Sequence, residues 1–431
     1  MTLPKSSNPR HQAWEILIRV IENHAFSNLL LNEVANNNQL KPVDKNLVFN
    51  LVHGVVTWKI YLSYVVNKLI DKKKTPVSVQ ILLWMGVYQL RYLTSIPPYA
   101  VVNESVNLVK TIDPKFAGLV NKVLKTLVPQ ESELYLVKEK NQDKNFCLTH
   151  AFPWKLFTLL SNDYGKENAM GVVIDSVKKP LINFRVNTLK TSVEQILNQY
   201  QDQFGLTRVL GVDDCLIATK PLVHSELYRL GEITIQDAAS VLVGQVLSPS
   251  VNSRVLDMCS APGGKLSHLS ALMQNTGVII AYELNPWRID LIQQNLVRLG
   301  CNNVELRTQN ALLAINDEPY DFILLDAPCS GFGVLKRKPE IKLNFNNSGD
   351  DFFTLVQTQA ELLEVAYQVL KKGGVMVYST CTINKVENQT QIERFLSAHP
   401  DMKVVFSQQL FGFEQATDGF FICKLMKKEE K

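Results

Sequence analysis

The chain has 431 residues, of which 46% are hydrophobic and 20% charged, and a net charge of +4. Length gives a prior of about two to three domains, and the composition is that of a globular protein with a sizeable core. No apolar run nears the roughly 18–20 residues needed to span a bilayer. No signal-peptide order opens the chain, and the seven cysteines stand singly, without the CxxC pairs of a zinc site or the density of a disulfide framework. Reduced thiols in the cytoplasm, no metal and no membrane are the expectation.

Residues 1–140 read as helices. Ala13, Trp14, Leu17, Ile18 and Ile21, then Leu47, Val48, Leu51, Val52, Val55 and Val56, recur at three- and four-residue spacing. Pro97-Pro98 and Lys72-Lys73-Lys74-Thr75-Pro76 mark turns between helices. Residues 1–145 hold 18 Lys/Arg against 11 Asp/Glu, so the rest of the chain carries −3. A basic first third is what a polyanion-binding domain needs, and equally what a solvated helical surface shows. From 145 to 245 the pattern is mixed and predicts a small α/β module. It has strands at Leu181–Asn187 and Gly231–Asp237, a short helix from Ser192, and a helix Ala238–Leu247 leading onward.

From 246 to 431 strands and helices alternate: strands at Arg254–Met258, Val278–Tyr282, Val304–Thr308, Phe322–Leu325 and Gly374–Ser379, with closing strands near Lys403–Phe406 and Gly419–Leu425. Alternation predicts a doubly wound, mostly parallel Rossmann-like sheet. Asn344–Asp351 is expected to be a disordered loop. In such a sheet ligands bind at the carboxyl ends of the strands, and three strand ends carry chemistry. After the first comes Asp257-Met258-Cys259-Ser260-Ala261-Pro262-Gly263-Gly264-Lys265. Its glycines allow close backbone approach, and the following helix offers unpaired N–H groups. Roughly 20 positions beyond, Glu283 has the spacing of a ribose-hydroxyl ligand, and Arg288 is counted with it. Asn310, after the third strand, reads either as an adenine contact or as a helix cap. Asp257 orients this loop or meets a donor's amino group; Lys265 pairs with a carboxylate or phosphate, or is an exposed helix lysine.

The other two strand ends carry Asp326-Ala327-Pro328-Cys329 and Ser379-Thr380-Cys381. A thiolate adding to carbon 6 of cytosine makes carbon 5 nucleophilic toward a sulfonium methyl group. That scheme needs a nucleophilic cysteine, an acid at ring N3, for which Asp326 stands ready, and a base. The residues thus predict S-adenosylmethionine-dependent methylation of cytosine carbon 5, without saying which thiol attacks. Cys147, Cys215, Cys259, Cys301 and Cys423 read as structural, although Cys259 lies within the donor loop. Behind Cys329, the stretch to Lys342 holds Lys336, Arg337, Lys338 and Lys342 against Glu340, a substrate loop for phosphate contact; Arg185 is a further candidate for RNA.

These motifs, together with Glu387-Asn388 after Cys381, resemble the RNA cytosine-5 methyltransferases of the Nop2/Sun family over nearly the whole chain. The resemblance implies an all-α NusB-like RNA-binding domain over 1–140, a small α/β extension over 145–245 and the methyltransferase domain over 246–431. It further implies that Cys381 attacks, that Cys329 assists product release, that Asp326 contacts the cytosine, and that Glu283 and Asn310 hold the donor's ribose and adenine. The family more often carries Asp at position 310, Ala at 260 and Thr at 266. The implied partner is 16S ribosomal RNA, free or in an early assembly intermediate, met by a monomer. A noncatalytic assembly factor on the same fold, or an enzyme acting on DNA, are the competing readings.

Overall fold

A computed structural model describes residues 6–37, 40–345 and 349–429. Part of the loop expected over 344–351 therefore lies outside the described residues; a helix starts at Asp350. The chain groups into two compact units. One runs to Lys179 and takes back the segment Leu335–Phe345; the other comprises Pro180–Val334 and the chain after 345.

The first unit is all helical. Its main helices are Pro9–Glu22, Ser27–Ala35, Pro42–Val66, Val77–Tyr92, Pro98–Ile112 and Ala117–Thr126. Three begin with proline in the first turn, where a missing N–H costs nothing and the fixed φ is already helical. Their shared core includes Ala13, Leu17, Leu51 and Val55, periodic positions read from the sequence, together with Leu62, Leu82, Val101 and Leu124. Trp84 is buried, and Trp14, Trp58 and Tyr88 pack partly buried against that core. Helices Gln142–Thr149, Trp154–Tyr164 and Lys166–Asp175 also join this unit, so the stretch expected as one middle module is divided near 180.

The returning segment Leu335–Phe345 is held by buried polar contacts. Glu340 accepts hydrogen bonds from the backbone N–H (3.2 Å) and the hydroxyl (3.1 Å) of Ser27, at the start of its helix. An acidic group there meets the positive end of the helix dipole. Lys336 pairs with Asp175 at 3.0 Å, and Leu343 packs against the helical core.

The second unit holds two sheets. The small one has strands β1 (Ile182–Val186), β2 (Thr207–Val209), β3 (Val212–Ala218) and β4 (Ile233–Ile235) in the order β2-β3-β1-β4, all antiparallel. The large one has β5 (Arg254–Asp257), β6 (Val278–Tyr282), β7 (Val304–Arg307), β8 (Tyr320–Asp326), β9 (Leu370–Thr380), β10 (Met402–Leu410) and β11 (Phe420–Lys427). Its order is β10-β11-β9-β8-β5-β6-β7. β5 through β9 run parallel, and β11 lies antiparallel to both β9 and β10. Because β5 pairs with both β6 and β8, the winding direction reverses at β5/β8, the switch point where open α/β sheets bind ligands. The central strands are buried on both faces, which explains their unbroken apolar runs.

Candidate active site

All three chemistry-bearing segments leave the sheet around the switch point. Asp257 ends β5, Asp326 ends β8, and Cys381 follows β9, with Asp326 paired in register to Ser379. Gly263 turns the donor loop with φ +95°, a conformation other residues avoid, and the helix Gly264–Leu272 follows at once. Glu283, after β6, is buried and accepts a hydrogen bond from the Asn285 amide at 2.9 Å. Asn310 caps the short helix Ala311–Asn316 by accepting from the Leu312 amide at 3.0 Å. Arg288 is exposed, its guanidinium lying over the Trp287 ring at 5.2 Å.

Lys265 is no surface lysine. Its ammonium donates to Asp326 Oδ2 at 2.8 Å and lies over the Phe420 ring at 5.1 Å. Burial works against its charge, but the Asp326 carboxylate and the Cys381 thiol outweigh that and raise it above an ordinary lysine. Asp326 Oδ1 accepts from the Ser379 hydroxyl at 2.8 Å. Asp257 is fully buried, and no donor reaches its carboxylate oxygens in good hydrogen-bond geometry, although the Cys259 amide, the Ser260 hydroxyl and the Lys265 charge favour its ionised form weakly. Burial first, and the Asp326 charge second, push it up to about 7.

The two loop thiols meet. Cys329 Sγ and Cys381 Sγ are 3.4 Å apart, within hydrogen-bond reach for sulfur. The Cys329 thiol is pushed well up by its hydrogen bond with Cys381, by burial, and by the charges of Cys381, Glu387 and Asp326. Cys381 instead faces the Lys265 ammonium. Gly333 ties the loops further: its N–H donates to the Cys381 carbonyl at 3.0 Å and its carbonyl accepts from Gly419 at 2.9 Å. A Cβ at Gly333 would run into the Gly419 backbone.

The RNA-facing expectations fare differently. Arg185 is buried in the second unit, donating to Gln236 Oε1 and Ser267 Oγ, both at 2.9 Å, and burial holds it down to about 10. It pins β1 to the donor-loop helix. Lys336 is buried on Asp175, and Lys342 is buried with no hydrogen-bond partner, its ammonium lowered to about 7 by desolvation. Three of the five basic residues expected on phosphate are thus interior; Arg337 and Lys338 remain half-buried. Cys147, Cys215 and Cys423 are buried core thiols. Conversely, Ser330, Ser379 and Glu387 belong to the site although no role was read for them; Glu387 lay within a quoted motif, but its partners Ser330 and Gln359 are 57 and 28 residues away. Among the described residues no cluster of three or more metal-ligating side chains exists, and no helix is long and apolar enough to cross a membrane.

Residues 244–426 match the family model described as 16S rRNA methyltransferase RsmB/F, and residues 7–129 match the NusB family. A probable ribosomal RNA small subunit methyltransferase B from Bacillus subtilis (strain 168) is 33% identical over 98% of this chain and 100% of that one. The ribosomal RNA small subunit methyltransferase B of Salmonella dublin is 31% identical, covering 99% and 100%. The crystal structure of PH0851 shares the fold with a TM-score of 0.82, at 23% identity over 99% of this chain and 100% of that chain. Matched over nearly its whole length by such relatives at 31–33% identity, this chain belongs to the RsmB/F family of rRNA methyltransferases.

Proposed function

We propose that the chain methylates carbon 5 of a cytosine in 16S ribosomal RNA, taking the methyl group from S-adenosylmethionine and passing through a covalent Cys381–cytosine intermediate. The observation that carries this reading is the pair of thiols 3.4 Å apart beside the Lys265–Asp326 ion pair. A donor fits the site's chemistry. The unpartnered, buried oxygens of Asp257 call for a cation such as the donor's ammonium. The Cys259–Lys265 loop would cradle it, with Glu283 at the ribose hydroxyls and Asn310 beside the adenine. When bound, S-adenosylmethionine supplies an electrophilic methyl group on a sulfonium.

The protein's own residues account for the rest. Lys265 favours the charged form of the thiol it faces, so Cys381 attacks carbon 6 as thiolate, while N3 is protonated from the Asp326–Lys265 pair. The resulting enamine makes carbon 5 nucleophilic. After methyl transfer the carbon-5 proton is lost to solvent, its electron pair re-forms the 5,6 double bond, the carbon–sulfur bond breaks and N3 returns its proton. Cys329 keeps its proton and donates an S–H hydrogen bond to the departing Cys381 sulfur, stabilising the leaving thiolate. Arg337 and Lys338, half-buried in the same loop, would meet phosphate.

The test is a denaturing gel for covalent protein–RNA adducts with unmodified 16S RNA and donor. Cys329→Ala is expected to trap an adduct and Cys381→Ala none. The reverse pattern makes Cys329 the nucleophile. An intact protein that binds RNA but transfers no methyl group is an assembly factor instead.

A further inference from the structure

Glu387 lies in the turn before the helix Gln389–Ala398, fully buried, and its carboxylate touches neither thiol. It touches both loops that carry them. Oε1 accepts from the Ser330 amide at 2.8 Å and from Gln359 Nε2 at 3.1 Å, and Oε2 accepts from the Ser330 hydroxyl. Ser330 Oγ in turn lies 2.8 Å from Thr382 Oγ1, so one carboxylate joins the residue after Cys329 to the residue after Cys381. Gln359 completes the brace by donating to the Pro328 carbonyl at 2.8 Å, on the other side of Cys329. The neighbouring Asn388 grips the Cys381 loop from both flanks: it accepts from Thr380 Oγ1 at 2.6 Å and donates to the Thr382 carbonyl at 2.9 Å. The Tyr378 hydroxyl fixes the turn itself by donating to the Glu387 carbonyl at 2.7 Å.

Burying a carboxylate is costly unless donors satisfy it. Here Ser330 beside Cys329 gives two of the donors, the Thr382 hydroxyl beside Cys381 approaches Oε2 at 3.5 Å, and Gln359 adds a donor from the helix Asp350–Val369. A thiol–thiol contact has no covalent restraint and a weak hydrogen bond, so 3.4 Å must be imposed by the backbones on either side.

We infer that Glu387 is a positioning residue that holds Cys329 against Cys381, and that it serves release of the covalent RNA intermediate rather than its formation. The second half rests on the proposed function; the first does not. Nucleophilic attack needs Cys381 and Lys265, which Glu387 does not touch, whereas elimination needs the Cys329 S–H beside the departing sulfur.

Two measurements on the full chain separate the halves. Phenylarsine oxide reports the thiol spacing without any methyl transfer: arsenic forms bonds to both sulfurs, two S–H bonds break and water leaves. Native-mass analysis of that product should give bridging in the parent protein and none in Cys329→Ala. Glu387→Ala should bridge at least tenfold more slowly, while Glu387→Gln, which keeps an acceptor for the Ser330 amide, should stay within threefold of the parent. With RNA and donor, Glu387→Ala should accumulate adduct, with single-turnover methylation within about threefold and multiple turnover down more than tenfold. Unchanged bridging in Glu387→Ala overturns the positioning role, and Gln behaving like Ala overturns it in favour of a pure charge effect. Should Glu387→Ala not fold, Ser330→Ala removes only the hydroxyl contact and must slow bridging and turnover in the same direction; no change overturns the inference. Altered bridging in a protein that never forms an RNA adduct would retain the brace and remove the methyl-transfer reading.

Discussion

Replacing Asp257 by Asn removes a charge from a buried site that satisfies it poorly. In the folded chain its carboxyl titrates near 7 instead of 3.8, because burial and then the Asp326 charge oppose ionisation. An acid raised on folding stabilises the native state fully below its unfolded value, and that contribution is lost as pH climbs through the folded value. At 1.36 kcal/mol per pH unit, the whole shift is worth about 4 kcal/mol, of which about 3 kcal/mol is lost between pH 5 and pH 8. Asn has the same shape and no charge to bury. Amide hydrogen exchange in β5 and β6 reads the stability of this unit directly. Relative to Asp257→Asn, the parent protein should therefore lose about 3 kcal/mol of protection between the two pH values. The variant should also bind S-adenosylmethionine more weakly, since an ammonium would meet an amide. Parallel pH slopes for the two proteins would refute the reasoning, because Asp257 would then not carry its charge into an unsatisfied site.

Lys342 offers the opposite sign. Its ammonium, lowered to about 7 by burial and without a partner, costs stability near neutrality, and that cost fades as pH rises toward 10.5. Lys342→Met should stabilise the helical unit by roughly 2–4 kcal/mol at pH 7 in urea unfolding, with the gain shrinking at pH 10; a destabilised variant would mean that an unseen anion meets the lysine. Gly333→Ala drives a Cβ into the Gly419 backbone and to 2.9 Å from the Cys381 carbonyl. It should cost about 1–3 kcal/mol by overpacking and reduce adduct formation, checked by thermal melting alongside the adduct gel.

The parallel sheet was legible because its central strands are buried on both faces and so spell continuous apolar runs, as in Phe322–Leu325 and Val375–Tyr378. β3 was not: Asp213 and Asp214 interrupt its run, although Cys215, Leu216 and Ala218 are buried. The strand ends gave Asp257, Asp326, Cys329 and Cys381, since position after a strand locates a side chain at the switch point whatever its distant neighbours. Charge was the poorer guide. Arg185, Lys336 and Lys342 looked like phosphate ligands because the local sequence holds too little acid to neutralise them. Gln236 and Ser267, the partners of Arg185, and Asp175, the partner of Lys336, lie 51 to 161 residues away. Glu387 escaped assignment for the same reason, its role being written in Ser330 and Gln359.

The helical unit cannot be finished in the order in which it is made. Its first stretch ends at Lys179, yet Glu340 at the start of the Ser27–Ala35 helix and Leu343 on the core arrive only with Leu335–Phe345. At translation speeds of 5–20 residues per second, the 155 intervening residues take roughly 8–30 s to emerge. Through that interval the Ser27 helix start lacks its acid and the apolar patch beneath Leu343 stays wet. The unit closes only after β5 through β8, with both Asp257 and Cys329, have left the ribosome.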